Sequence, residues 1–433
     1  MERDYATRTT CRACGSADLT PLFSLGEQFV SNFVDEADVK NGYRDCPKCP
    51  LDVELCKACT LVQLKHTAPQ ELLYSRQYWY KSSTSSTMRA NLRDVAEAAQ
   101  RAVKLEPGDV VLDIGSNDGY LLRNYPSNLC RVGVEPADNL ATGENYDDGL
   151  HLIHDFWSAP RYYDWVNFVR PPVQNGFTVH QHEAKVVTAL GMAYDLEDPG
   201  QFFADVAKVL HSDGVFIAQL MCLRQTVESR DVGNFANEHL EYYSLRSLAL
   251  MFDRYGMVIE DVETNDVNGG SYRLFVRHKT FPINRDGYHR VIAAFDRETE
   301  MRLSDPATLI SFYHEMLRNA QAVKAHVTKA VRGGQRVFVR GASTKGNVIC
   351  QWLGLDSSLI LGAADVDKAK WGRFMVGTGI PIMSLEAVRQ LDPSLMVILP
   401  YAFEKEIVEQ EKDQTWRKRG GKFLIPIPEL RIV

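Results

Sequence analysis

The sequence predicts an α/β chain in three parts: a small cysteine-rich module at the N-terminus, a central doubly wound domain with a largely parallel sheet, and a smaller C-terminal α/β domain. Three observations carry this. Six cysteines fall before residue 60, all in C-x2-C pairs. The segment DVVLDIGSNDGYLL reads as a buried strand, a glycine-bearing turn and a helix start, and strand and helix patterns alternate after it. A second alternation begins at QRVFVRG. At 433 residues the chain is too long for one ordinary core, and the parts read as 1–75, 76–283 and 284–433.

Residues 1–75 are short apolar runs broken by glycine, proline and cysteine pairs, the texture of a small metal-stapled unit. From Tyr78 to Val103 the pattern turns helical: Ser/Thr cap candidates precede Leu92, Val95, Ala96, Ala99 and Val103 on one face. RVGVEPA is a strand ending in an acid, Glu135. KVVTALGMAYDLED and GVFIAQLMCL are further strand candidates, with QFFADVAKVLH helical between them. Two alternating runs about a glycine-rich turn at 255–278 form a hairpin. Residues 285–332 read as helices forming a lead-in to the last domain. QRVFVRG, SLILGAADVD, SLMVILPYAF and KFLIPIPEL supply the strands of that domain.

Bulk composition narrows the class of function. The chain is 45% hydrophobic and 24% charged, as in globular proteins. A net charge of -7 implies no broad basic face and argues against a nucleic-acid binder, while leaving room for a small basic pocket. MERDYATRTT has no apolar core and no run approaches the roughly 20 apolar residues of a membrane span, so a cytoplasmic protein is expected. In that reducing setting clustered cysteines read as metal ligands.

Cys11-Arg-Ala-Cys14 and Cys56-Lys-Ala-Cys59 have the spacing that lets two thiolates grip one tetrahedral ion, so two such knuckles complete one structural zinc site per chain. Cys46 and Cys49 form a third pair, and spacing alone does not settle which four of the six bind. The outer pairs are favoured because each runs on into a short strand. The inner pair is then a bystander, a second partial site or a redox pair. Four thiolates close the coordination sphere and leave no open position for catalysis.

The loop from Asp113 to Gly119 carries the next chemistry. Gly115 lets the backbone approach a ligand, Asn117 and Gly119 complete the turn, and Glu135, at the end of the next strand, can accept both hydroxyls of a ribose. The loop lacks the G-x-G-x-x-G order of a dinucleotide site, and its acidic neighbours suit a cationic sulfonium. It resembles the first S-adenosylmethionine (SAM)-binding motif of class I methyltransferases. Asp155, in HDFWS, is the candidate for the adenine edge. Glu238-His239 follows the fifth strand candidate near the carboxyl edge of the sheet, where ligands of open α/β sheets lie. Histidine moves protons near neutral pH, and an adjacent carboxylate can orient it or raise its pKa. The plainer alternative is a solvated Glu-His pair on a helix. In the last domain Gly341-Ala-Ser-Thr-Lys-Gly-Asn347 reads as strand, small-residue turn and helix, a cradle for phosphate oxygens using Ser343, Lys345 and Asn347.

Together these segments resemble the zinc-containing SAM-dependent sugar C-methyltransferases of deoxysugar biosynthesis. The resemblance runs through the outer cysteine knuckles, Tyr78-Trp-Tyr80-Lys-Ser-Ser83, the Asp113 loop, Glu238-His239, Asn268-Gly-Gly-Ser271 and the Gly341 loop. It implies a structural zinc module, a Rossmann-like class I methyltransferase domain that binds SAM, and a nucleotide-linked keto sugar held between the middle and C-terminal domains. It also implies His239 as base, Glu238 as its support, and Tyr78 or Tyr80 covering the site. The chain departs from the family at two places. Ala236-Asn237-Glu238-His239 stands where the family has Tyr-His-Glu-His, and Thr188 and Met192 stand where it has Asn and His. Methyl transfer to another acceptor and a non-methylating relative such as an epimerase are the alternatives. The expected partner is the small-molecule sugar substrate, with neither nucleic acid nor membrane, in a monomer or homodimer.

Overall fold

The computed structural model describes residues 5–69, 73, 78–146, 149–168, 182–282 and 284–433, with the side chain of Asn268 left out. The expected domain boundaries after residues 75 and 283 lie outside the described residues.

The N-terminal module is built on β1 (Leu19–Phe29), β2 (Lys48–Cys56) and β3 (Val62–Leu64), an antiparallel meander. Apolar residues on its two faces join different cores. Cys11, Cys56, Cys59 and Leu61 join the core of the central domain beside Phe203 and Tyr243. Leu51, Val53 and Leu55 pack with Phe235, Phe312 and Met316, on the side of the C-terminal helices.

Helix α1 (Ser86–Ala102) begins only after Ser85, whose hydroxyl caps the Met88 N–H and whose own backbone is extended. The helix expected from Tyr78 is therefore shorter. The Ser82 and Ser83 N–H groups bond instead to the side chains of Asn117 and Asp118, which hold residues 78–83 out of the helix. The central sheet follows: β4 (Val110–Ile114), β5 (Cys130–Val134), β6 (Leu150–Ile153), α2 (Ala159–Phe168), β7 (Ala184–Leu190), α3 (Pro199–Val209) and β8 (Leu210–Met221). After β9 (Glu241–Tyr242) and α4 (Leu245–Arg254), β10 (Met257–Asn265) and β11 (Ser271–His278) form the expected hairpin. The seven strands lie in the order β10-β11-β8-β7-β4-β5-β6, the last five parallel. The strand order reverses at β4, so its carboxyl end is the place for a ligand. Between β4 and β5 the expected helix is replaced by turns and a single 3-10 turn at Leu122–Asn124. Pro126, two residues on, cannot continue a helix.

Two helices, α5 (Arg285–Glu300) and α6 (Pro306–Arg332), lead into the last domain. There β12 (Val337–Arg340), α7 (Thr344–Leu353), β13 (Ala363–Asp365), β14 (Ile382–Ser384), β15 (Leu395–Ile398), β16 (Lys422–Ile425) and β17 (Arg431–Ile432) form a six-stranded sheet, order β14-β13-β12-β15-β16-β17. SLILGAADVD contributes only three strand residues, because Asp356 turns the chain by accepting from the N–H and hydroxyl of Ser358. Among the described residues no helix is long and apolar enough to cross a membrane.

Candidate active site

The metal ligands come together as the outer knuckles require. The Sγ atoms of Cys11, Cys14, Cys56 and Cys59 all lie within 4.8 Å of one another, with Cys11–Cys59 at 3.5 Å and Cys14–Cys56 at 3.4 Å. A tetrahedral zinc with Zn–S bonds of about 2.3 Å sets its sulfurs about 3.8 Å apart, so the four thiols fit zinc and leave no vacant ligand position. Cys46 and Cys49 are not part of the group. Burial pushes the Cys49 thiol up to about 12, and its Sγ faces the Pro50 carbonyl at 3.7 Å.

A cavity of about 480 Å³ opens at the carboxyl end of the central sheet, where β4 ends. One wall is the Gly115 turn. Gly115 has φ +69°, and a Cβ there would meet Met192 Cγ at 3.0 Å, so the turn needs glycine for both its conformation and its space. Glu135 accepts the Asn117 N–H at 2.8 Å on one oxygen and the Ala137 N–H at 2.9 Å on the other. Burial nevertheless pushes its carboxyl up to about 7. Asn117 faces both ways, its backbone on Glu135 and its side chain clipping the Tyr80 carbonyl and the Ser82 N–H. Asp113 does not reach the cavity. It lies buried beneath the turn, hydrogen-bonded by Thr188 Oγ1 at 2.6 Å, and burial pushes it up to about 7. Gly119 faces the Asn145 carbonyl, and Asp155 turns outward to Arg161 at 2.8 Å. The residues that follow Asp155 in sequence, Phe156, Trp157 and Ser158, line the cavity instead.

The opposite wall gathers charge. His239 is buried, and its Nδ1 donates to the Asn234 carbonyl at 2.7 Å, which leaves the lone pair on Nε2. The ring of Tyr194 meets it edge-on at 4.9 Å. Burial, with the charge of Lys345, lowers His239 to about 3, so the imidazole is neutral. Glu238 does not act as the ring's hydrogen-bonded orienter. It takes a hydrogen bond from Thr344 and faces Lys345, and burial pushes it up to about 7. Lys345 Nζ donates to Asn234 Oδ1 at 2.6 Å and lies 3.0 Å from Met221 Sδ. Asp231, pushed up to about 6 by burial, stands near the ammonium and also accepts from Tyr401. Tyr78 and Tyr80 both line the cavity.

The Gly341 loop divides. Gly341 has φ +89° and abuts the Pro400 ring, which seats the loop. Thr344 and Lys345 turn into the cavity. Ser343 caps α7 through the Gly346 N–H at 2.9 Å. Asn347 is fully buried, with no hydrogen-bond partner for its amide among the described residues. Sequence reasoning missed Asn234, Asp195, Asp231 and Thr344. They lie in or near named motifs, but only the folded arrangement brings Asp195 and Thr344 to the cavity and Asp231 and Asn234 to Lys345. Ala236 is fully buried among apolar side chains. Tyr194 lines the cavity, whereas the Tyr242 hydroxyl donates to the His239 carbonyl.

The zinc module reaches this wall directly. β9, two residues past His239, pairs with β3, matching Glu241 to Gln63 and Tyr242 to Val62. Arg12, between the first two cysteines, binds Glu197, Thr67 and the Leu64 carbonyl. The metal knuckle thus braces both the loop after β7 and the segment that carries the histidine.

A sheet in this order, with a glycine turn after its first strand and an acid ending the second, is the Rossmann-like class I methyltransferase fold, and a methyltransferase-domain family model matches residues 86–262. The chain is a SAM-dependent methyltransferase with an N-terminal zinc-binding module. A zinc binding domain model matches residues 11–74 and a C-methyltransferase C-terminal domain model matches residues 266–428, which supports a C-methyltransferase family. The chain is 28% identical over 429 residues to C-methyltransferase NovU of Streptomyces niveus, covering 98% of this chain and 96% of that one. Among solved structures it is similar to a SAM-dependent methyltransferase from Clostridium acetobutylicum, at 12% identity and TM-score 0.31 over 45% of this chain and 93% of the other. It is also similar to SAM-bound magnesium protoporphyrin IX methyltransferase from Synechocystis, at 12% identity and TM-score 0.30 over 43% of this chain and 77% of the other.

Proposed function

We propose that the chain methylates a carbon beside the ketone of a nucleotide-linked keto sugar, with His239 as the base that forms the enolate. The observation that carries this reading is the fixed tautomer of His239: Nδ1 is held by a backbone carbonyl, and Nε2 is the basic atom of a residue lining the same cavity as the Gly115 turn. A methyl group goes to carbon only after a proton has left it, and a neutral, oriented imidazole does that work. The likeness to NovU, described as a C-methyltransferase, agrees with it.

In this reading Glu135 takes the ribose hydroxyls of SAM, with Gly115 and Asn117 shaping the adjoining wall and Asp113 and Gly119 supporting the turn from behind. Phe156 and Trp157 flank the adenine where Asp155 was expected. The bound cofactor supplies a methyl group on a sulfonium, which leaves with its carbon–sulfur bond electrons staying on sulfur. Tyr78 and Tyr80 cover the acceptor. Thr344 and Lys345 meet it from the C-terminal domain, and Ser343 and Asn347 shape the loop behind them. The parts act as three domains, 1–75, 76–283 and 284–433, with one structural zinc per chain in a cytoplasmic enzyme.

Ala236 and Met192 favour a second reading, in which the methyl goes to another acceptor at oxygen, nitrogen or a different carbon acid. Labelled SAM offered with a panel of nucleotide-linked 4-keto sugars, with mass detection, separates the two. The proposal expects a labelled sugar nucleotide. Transfer only to hydroxyl or amine acceptors would support the second reading.

A further inference from the structure

Sequence alone suggests that Lys345 serves a diphosphate, but its surroundings suit a different anion. Among the described cavity-lining residues Lys345 is the one lysine or arginine, against Glu135, Asp195, Glu197, Asp198, Asp205 and Glu238. The acids whose charge acts on it are Asp231, Asp195 and Glu238. A diphosphate brought to Nζ would meet these acids at close range, and each of them that is ionised would repel it. A single negative charge that appears on a neutral ligand oxygen, and only during reaction, meets no such penalty beforehand.

Asn234 fixes the geometry. Its backbone carbonyl holds His239 Nδ1 at 2.7 Å, and its side-chain Oδ1 holds Lys345 Nζ at 2.6 Å. One residue therefore spaces a base and a cation, and both face the cavity. Met221 Sδ, 3.0 Å from Nζ, is a weak acceptor that a better one can displace.

We propose that Lys345 is the electrophile of the reaction, its Nζ hydrogen-bonding the ketone oxygen of the acceptor and holding the charge that develops there. This rests on the keto-sugar reading above. As His239 Nε2 takes the α-proton, the C–H electron pair becomes the C=C bond of the enolate and the carbonyl π pair moves onto oxygen, against the ammonium. When the new carbon–carbon bond forms, that pair returns to restore the ketone, and His239 passes its proton to solvent. Burial and the lysine charge together make His239 a weak base, so proton removal depends on stabilising the oxyanion, the kind of contact whose loss typically costs about 10²–10³ in rate.

The test is α-proton exchange in deuterated water, using S-adenosylhomocysteine-bound enzyme and a nucleotide-linked 4-keto sugar. Lys345→Met should slow exchange about 10²–10³-fold. It should leave binding of a nucleoside diphosphate without a sugar unchanged within about twofold, a difference of about 0.4 kcal/mol. Removing the lysine charge relieves His239 and by itself would speed proton removal, so slower exchange reports the lost donor. Asn234→Ala loosens the ammonium yet keeps the backbone carbonyl on His239, and should slow exchange about 10-fold even if Lys345→Met fails to fold. Unchanged exchange with weakened nucleoside diphosphate binding would overturn the proposal and make Lys345 a phosphate ligand. Wild-type enzyme that exchanges no keto-sugar proton would defeat the underlying reading itself, and the proposal with it.

Discussion

The two walls of the cavity are built in different ways. The wall around Gly115 is local and made largely from backbone: Gly115, Asn117 and Glu135 lie within one strand–turn–strand unit, with Asp113 beneath it, and both oxygens of Glu135 are held by main-chain N–H groups. The opposite wall is drawn from distant segments: Tyr78, Tyr194, Glu238 with His239, and Thr344 with Lys345 meet only in the fold, and Asp231 and Asn234 neighbour the lysine. Burial pushes Glu135 and Glu238 alike up to about 7, yet Glu238 is relieved by a hydroxyl and an ammonium from the C-terminal domain rather than by its own backbone. A site for a constant ligand can be carried by a turn. A site for making and holding charge has to be assembled, and each member can be exchanged separately.

Breaking the assembled wall should cost the most. His239→Asn should lower methyl transfer toward the upper end of the roughly 10²–10⁴-fold that a general base contributes, while S-adenosylhomocysteine still binds. Steady-state transfer and calorimetry on one preparation check both halves, and an active variant would remove His239 from the mechanism. The local wall should give a binding effect instead. Glu135→Ala is expected to lose about 1.5–3 kcal/mol of S-adenosylhomocysteine affinity per ribose hydrogen bond, with the protein still folded. Unchanged affinity in a folded variant would rule out that contact.

A smaller effect sharpens the comparison through pH. Because burial raises Glu238 above the ordinary carboxylate range, its stabilising contribution is full below that range and is lost as pH rises through about 7. Asp113 and Glu135, also pushed up to about 7, act in the same sense. Ligand-free protein should therefore melt lower at pH 8 than at pH 6, and Glu238→Gln should flatten part of that fall. A melting temperature that rises over this interval would show that Lys345 keeps Glu238 ionised. The smallest effect is expected at the inner cysteine pair: Cys46→Ser/Cys49→Ser should retain one zinc per chain by elemental analysis. Loss of the metal would mean that the ligand set is wrong.

The same contrast explains what could be read in advance. The Gly115 turn and Glu135 are legible because chain spacing and strand periodicity fix their geometry. The outer cysteines are legible because C-x2-C is itself a metal-binding geometry, although only the fold separates them from Cys46 and Cys49. Asp155 pairs with Arg161 while Phe156 lines the cavity, a one-residue difference in direction at a strand end that the sequence pattern does not carry. The orienting role expected of Glu238 falls to the Asn234 carbonyl, and no side-chain pattern signals a backbone acceptor. Nor does sequence show that β3 of the zinc module pairs with the strand beyond His239, because that contact joins segments far apart in the chain.

The most direct test of the account is the position of the transferred methyl group. With SAM carrying a ¹³C-methyl group and a nucleotide-linked 4-keto sugar as acceptor, NMR of the product should show the label bonded to a carbon beside the ketone, with one α-proton lost to solvent. A label on oxygen or nitrogen, or no transfer to any such ketone, would contradict it.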